Sequence, residues 1–264
     1  MKLIDINISM MYDNADEVGA FLLAENPDII TLQEVLRGLE DSVVERCKSK
    51  ENIEKILWEK YPYNFFGPLQ ITDAFRKNGE TFIDCGGNIE QGNEVITKFP
   101  IRSASNEFYY KKYAPALDRV QWKEEDHGRA VQIVEIDIKG KPLQVLNVHG
   151  IWTADKQGDE RTIAECKYII QAAKRKKLPT IIVGDFNLLP ETESIQLMNK
   201  EFRNIINEYK ITSTRPSFKD DTDEGSNVVD YIFVNDLIQV NDFKVIDINT
   251  VSYTHLTVPT IYSV

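Results

Sequence analysis

The sequence contains no apolar run approaching the roughly 18 to 20 residues of a membrane-spanning helix, so stable membrane insertion is not expected. The opening "MKLIDINISM" also lacks the uninterrupted apolar stretch of a signal peptide, and a cytoplasmic protein is the expectation. Cysteine is scarce. Cys47, Cys85 and Cys166 are odd in number, far apart and in no CxxC pattern, which argues against a disulfide framework or a structural zinc site and for reduced core residues. Positive charge is in deficit. The 31 Lys and Arg against 42 Asp and Glu leave a net charge of −11, a balance that disfavours affinity built on broad neutralisation of nucleic-acid phosphates. No repeat, linker or low-complexity stretch divides the chain. What is present is enough apolar side chain, 42% of 264 residues, to fill a sizeable core of a single domain.

The elements alternate in type. "KLIDINIS" has the period-2 pattern of a strand, Asn14 with Glu17 resembles a capping box opening a helix that ends before Pro27, and "DIITLQEV" reads as a strand stopping at Gln33 and Glu34. Residues 39–58 carry apolar side chains at helical spacing. From Tyr63 to Phe108 the pattern is a meander of short strands broken by Gly and Asn, with a turn at Gly86-Gly87. Residues 109–128 read as a long surface loop over the mouth of a site. "RAVQIVEIDIKGKPLQVLNVHG" is a hairpin whose second strand ends at His149. Asp159 to Lys177 is the clearest helix, and its basic "KRKK" end is read as a solvated, dipole-matched terminus. "TIIVGDFN", "VVDYIFV" and "NDFKVID" follow as strands.

Polar groups stand where the apolar strand patterns stop: Asn7, Gln33-Glu34, His149, and Asp185 with Asn187. In α/β architectures, strand ends bring side chains from distant sequence positions to one site. The carboxylates Glu34, Asp185 and Asp230 with the amides Asn7 and Asn187 form an oxygen-rich, thiol-poor set, suited to Mg2+ or Mn2+ rather than zinc. Taken singly, each is a common turn residue.

In order, the blocks "LIDINIS", "PDIITLQEV", "GNEVITKFPI", "LNVHG", "IIVGDFN" and "VDYIFV" resemble those of the endonuclease/exonuclease/phosphatase family, the DNase-I-like metal-dependent phosphoesterases. The resemblance covers residue 2 to about 250 and implies a four-layer α/β/β/α sandwich of two packed mixed sheets flanked by helices. It also implies roles. Glu34 is then the principal metal ligand, with Asn7 beside it supplying an oxygen or orienting a ligand or water. Asp185 orients or deprotonates the attacking water, Asn187 positions it or the phosphate, and His149 donates a hydrogen bond to the scissile phosphate. Asp230 is the partner of a C-terminal histidine that stabilises the transition state or protonates the leaving group. The implied activity is metal-dependent phosphodiester hydrolysis by a monomer, with nucleic acid as substrate. Lipid or small phosphoesters within the same family, or a catalytically impaired phosphate-binding module, are the alternatives. Lys111, Lys112, Arg119 and Arg129 could supply local phosphate contacts, whereas His127 reads as an exposed or turn-stabilising loop residue.

The family's final block, Ser-Asp-His, is broken. The chain reads Ser252-Tyr253-Thr254-His255-Leu256, so aligning His255 as the catalytic histidine leaves Thr254 where the aspartate belongs. Threonine cannot replace that charge. Residues 1–251 are accordingly assigned to the domain and 252–264 to an atypical C-terminal tail. Two accounts of the tail stay open: a natural variant with a weakened site, or non-native sequence translated from an adapter at the end of a truncated read, the account favoured here.

Overall fold

The computed structural model of the chain describes residues 1–8, 15–77, 80–113, 127–215, 228–247 and 255–261, the last of these by its backbone. In chain order the elements are β1 Leu3–Asn7, α1 Ala15–Glu25, β2 Ile29–Gly38, α2 Ser49–Leu57, β3 Tyr63–Lys77, β4 Glu80–Thr97, β5 Ile101–Tyr110, β6 Arg129–Ile138 and β7 Lys141–His149. There follow α3 Glu160–Lys174, β8 Thr180–Asp185, α4 Glu193–Glu201, β9 Arg203–Asn204, α5 Ile205–Glu208, β10 Asp230–Val234, β11 Val240–Asp247 and β12 His255–Ile261. None of the described helices is long and apolar enough to cross a membrane.

The strands form two six-stranded sheets, ordered β11-β12-β1-β2-β4-β3 and β5-β6-β7-β8-β10-β9. Each mixes parallel and antiparallel pairs: β1 runs parallel to β2, and β7 parallel to β8. The period-2 geometry of β1 explains the layering. Ile4, Ile6 and Ile8 pack with Val18 and Leu22 of α1 and with Ile53 and Leu57 of α2, while Leu3, from the opposite face, joins Val131, Val145 and Ile182 of the second sheet. On the far side, Cys166, Ile169 and Ala173 of α3 and Ile195 and Met198 of α4 cover that second sheet. Helix, sheet, sheet and helix are thus the four layers that the family resemblance implies.

Several elements differ from the sequence reading. β2 does not stop at Glu34 but continues through a bulge to Gly38, because Val35 and Leu36 resume the buried pattern. Only Ser49–Leu57 of the 39–58 stretch is α-helical. The preceding residues wrap over β4 in a short 3-10 turn, Glu45–Cys47. The supposed meander is one long hairpin, β3 with β4. Gly86 and Gly87 lie within β4 at an irregularity in that pairing instead of at a turn. Gly86 sits at φ +71°, and a Cβ there would come within 2.7 Å of the Ser42 carbonyl oxygen, so the glycine lets the overlying loop touch the strand. The β6–β7 hairpin is as expected, turning through Lys139 and Gly140, both at positive φ, as a two-residue loop requires. α3 is capped by Asp159, whose carboxylate accepts from Arg161 N and Thr162 N while Thr162 Oγ1 accepts from Asp159 N. The Asn14 cap, residues 114–126 of the expected 109–128 surface loop and residues 248–254 lie outside the described residues.

Candidate active site

Strand register assembles the site. Across the second sheet, His149 is paired with Asp185, and Asp185 with Asp230, so three strand ends from β7, β8 and β10 form one row. In the first sheet Asn7 is paired with Gln33. On the other side of β1, Asp5 is opposite Thr257, and two residues along that antiparallel register bring the backbone of His255 level with Asn7. The two rows face each other across the sandwich. Asn7 joins them: its Nδ2 donates to Asp185 Oδ2 at 2.9 Å and to Glu34 Oε1 at 3.1 Å.

Glu34 reaches this place because the strand is irregular. Gln33 and Glu34 together oppose Asn93, between the pairs Leu32–Glu94 and Val35–Gly92, which is the two-against-one arrangement of a bulge. Strict alternation would send Gln33 to the inter-sheet face and Glu34 to the helix face. Glu34 instead takes φ +59°, and its carboxylate points the same way as Gln33, with Oε1 also 3.7 Å from His149 Nε2. A non-glycine residue held in that region costs about 1–3 kcal/mol, which the surrounding strands must offset.

On the opposite strand ends, Asp185 Oδ1 accepts from Asn187 N at 2.8 Å, and Asn187 takes φ +56°, so "GDFN" folds back on itself. Asn187 Nδ2 reaches Gly150 O at 3.4 Å. This packing requires two glycines. A Cβ on Gly184 would lie 2.0 Å from Val148 O, and one on Gly150 would lie 2.4 Å from Phe186 O. Behind them Glu165 of α3 accepts from Tyr109 Oη at 2.6 Å and from Ile151 N at 3.1 Å, bracing the chain just past His149.

The electrostatics are divided. Asp5, below Asn7 on the same face of β1, accepts from Thr31 Oγ1 at 2.6 Å and Gln33 Nε2 at 2.7 Å. Burial pushes its carboxyl up to about 7 against those two hydrogen bonds, with Asp185 adding to the rise. Asp230 is likewise held well above the carboxylate range by burial and by Asp185, while Thr214 and Lys156 pull it down. Across the row the shift changes direction. His149 is held well below its ordinary value by burial, by Arg129 and by His127, so it is neutral and can donate from one ring nitrogen.

A divalent cation fits this donor set. Among the described residues no three His, Cys, Asp or Glu side chains form a cage. Glu34 and Asp185, bridged by the Asn7 amide, instead suit a hard ion such as Mg2+, which binds through one or two carboxylates and keeps several waters. A positive charge here would relieve the crowding of buried acids.

The structure brings together Asn7, Glu34, His149, Asp185, Asn187 and Asp230, and it places the backbone of His255 level with them. Asp5 and Glu165 escaped the sequence reading, and His127 was misplaced by it. Asp5 was signalled by its i, i+2 spacing from Asn7, which puts both on one strand face. His127 is buried, contrary to the exposed loop role read from its polar neighbours; burial, Arg129 and Lys111 push it down to about 2. Glu165 is hidden in the sequence as one more charge on an amphipathic helix. The basic end of α3 is a surface feature. Lys174 pairs with Glu201, Arg175 with Glu107 at 2.6 Å and Lys176 with Glu135 at 2.5 Å.

The Endonuclease/Exonuclease/phosphatase family model matches residues 6–252. The chain belongs to this family. Members of the family, named for phosphate-ester cleavage, include solved structures that share the fold. An endonuclease/exonuclease/phosphatase from Beutenbergia cavernae superposes with a TM-score of 0.73 at 13% identity, covering 99% of this chain and 71% of that one. A family protein from Leptotrichia buccalis gives 0.70 at 17% identity over 100% of both chains. Truncated TDP2 from Caenorhabditis elegans gives 0.62 at 16% identity, covering 100% of this chain and 98% of that one. No curated protein sequence matches the chain. This family member shares the sandwich fold of those structures, in a family whose members are typically phosphoesterases.

Proposed function

We propose that the chain is a metal-dependent phosphodiester hydrolase acting on nucleic acid. The observation that carries this reading is the Asn7 bridge, which holds Glu34 of the first sheet and Asp185 of the second on one amide. Glu34 would hold the cation, with Asn7 orienting that carboxylate. When bound, Mg2+ or Mn2+ supplies polarisation of a phosphoryl oxygen and stabilisation of charge on the leaving oxygen. The chain's own groups do the rest. Asp185, fixed by Asn7 and by Asn187 N, orients the attacking water and accepts its proton. Asn187 positions the water or phosphate. Neutral His149 donates a hydrogen bond to a phosphate oxygen, and Arg129, buried beside it, adds a fixed positive charge on the same side. Asp230 serves the C-terminal histidine, His255, whose missing Ser-Asp-His partner is replaced by Thr254.

The net charge of −11 confines nucleic-acid attraction to local charges such as Arg129. The test is a substrate panel run on the wild-type chain and on T254D with Mg2+ or Mn2+. It comprises single-stranded, duplex and abasic DNA, RNA, a generic aryl phosphodiester, a phospholipid and an inositol phosphate. Metal-dependent cleavage of a nucleic acid, strengthened in T254D, is the expected result. Cleavage of lipid or inositol phosphate alone overturns the nuclease assignment, and no cleavage of any substrate by either protein overturns the hydrolase assignment in favour of a phosphate-binding module.

A further inference from the structure

Cys47 closes the Glu45–Cys47 turn and Cys85 lies in β4, 38 residues further on. Their sulfurs are 2.6 Å apart. Both side chains are fully buried in a small apolar cluster with Leu36, Val43, Phe75, Ile83 and Ile89, separate from the main core. Two backbone hydrogen bonds fix the approach: Val44 N donates to Cys85 O at 2.9 Å, and Cys47 N donates to Val44 O at 2.9 Å. The cover is thin, because Val44 on the overlying loop is 39% exposed and Leu39 at its start 44% exposed. A short local opening of such a loop admits small solutes without global unfolding.

The two thiols differ in character. Contact with Cys85, assisted by the Arg46 charge, holds Cys47 below its ordinary value against the effect of burial. The same contact, together with burial, pushes Cys85 up. Cys166 has no such partner. It sits on α3 against the second sheet, where burial pushes its thiol well up.

We propose that Cys47 and Cys85 are an oxidant-responsive dithiol pair that closes to a disulfide when a hydroperoxide reaches the loop. In the first step the Cys47 sulfur takes one oxygen of hydrogen peroxide as the O–O bond breaks, and the thiol proton leaves on the other oxygen as water. In the second, the Cys85 sulfur attacks the sulfenic sulfur, the S–O bond breaks, and the hydroxyl departs with the Cys85 proton as a second water. Two electrons and two protons pass from the thiols to the peroxide, and Cys166 keeps its thiol. The bond would tie the loop between β2 and α2 to β4, and it involves no group of the proposed hydrolytic site. The odd cysteine count hides this pairing, since it is the sum of one pair and one bystander.

The test uses the full chain, reduced, desalted and exposed to hydrogen peroxide, then denatured and alkylated. The expected product loses two of its three alkylatable thiols and two hydrogens of mass. It also yields one peptide pair joined through Cys47 and Cys85, and dithiothreitol restores the original. The C166S variant behaves as wild type, C47S and C85S form no intramolecular bond, and the melting midpoint of the wild type rises on oxidation. Three thiols retained, oxygen gained without a cross-link, or a bond through Cys166 or between chains overturns the proposal. The peptide map of the wild type decides the matter even where a variant folds poorly.

Discussion

Replacing Asp185 by asparagine separates catalysis from stability. In the folded chain one carboxylate oxygen accepts from Asn7 Nδ2 and the other from Asn187 N, at 2.9 and 2.8 Å. An amide has a single oxygen, so one of the two donors then faces an NH2 group, at a cost of about 1–2 kcal/mol. The opposing effect is electrostatic. Asp185 contributes to the raised carboxyls of both Asp5 and Asp230, and removing its charge relieves those buried acids. That relief is opposite in sign to the lost hydrogen bond. The two effects offset each other, so the D185N melting midpoint should move by less than about 4 °C for a domain of this size. Activity should not be spared. Loss of the group that accepts the water's proton costs roughly 10²- to 10⁴-fold, about 3–5 kcal/mol of barrier. The assay is kcat/KM on an aryl phosphodiester with Mg2+, beside thermal melts of both proteins without metal. A D185N enzyme within about tenfold of wild type would remove Asp185 from the chemistry, and a midpoint lowered by more than roughly 10 °C would refute the cancellation.

Two other substitutions probe the frame around the site. Gly184→Ala should cost more than about 3 kcal/mol in urea unfolding, because its Cβ meets Val148 O at 2.0 Å with φ at +137° and forces β7 from β8. Gly140→Ala, with nothing within 4 Å of the added Cβ at φ +89°, should cost only about 1–2 kcal/mol, and equal costs for the two would remove the close approach as the cause. Glu165→Gln should flatten the dependence of stability on pH. Burial raises the Glu165 carboxyl from 4.5 to about 7 against hydrogen bonds from Tyr109 and Ile151. The folded chain therefore holds a proton in that window that the unfolded chain has released. The stabilisation is complete below pH 4.5 and is lost as pH rises through about 7. Melts from acid to neutral pH should show a shallower fall for E165Q, and unchanged slopes would assign the proton elsewhere.

The two-sheet architecture was legible only through the ordered blocks that resemble the family, whereas most of the candidate-site residues were legible because strand ends leave a one-dimensional trace: an apolar run that stops at a polar group. Asn7, His149 and Asp185 are all of that kind. Glu34 was found for the right position and the wrong reason, since the strand continues beyond it and a bulge, which has no composition signature without glycine, turns the side chain inward. Helix content in residues 39–58 was overcalled because apolar spacing of 3 and 4 also arises where a loop drapes over a small cluster. The burial of His127 and the bracing by Glu165 depend on long-range packing. Polar neighbours in sequence say little about which side chains lie above them in space, and His127 pays for that ambiguity most plainly.

The alignment of His149, Asp185 and Asp230 on one line of paired residues has a consequence for folding fidelity. Side chains along a strand alternate faces, so a one-residue slip of β8 against its neighbours would turn Asp185 away from the sandwich and bring Gly184 or Phe186 to its level. The close approach at Gly184 penalises that slip, because any other residue brought to its place would set a Cβ about where one on Gly184 lies 2.0 Å from Val148 O. Misregistered molecules would then lose the whole row together. Partial misfolding should give an inactive fraction mixed with fully competent molecules, with no population of intermediate activity between them.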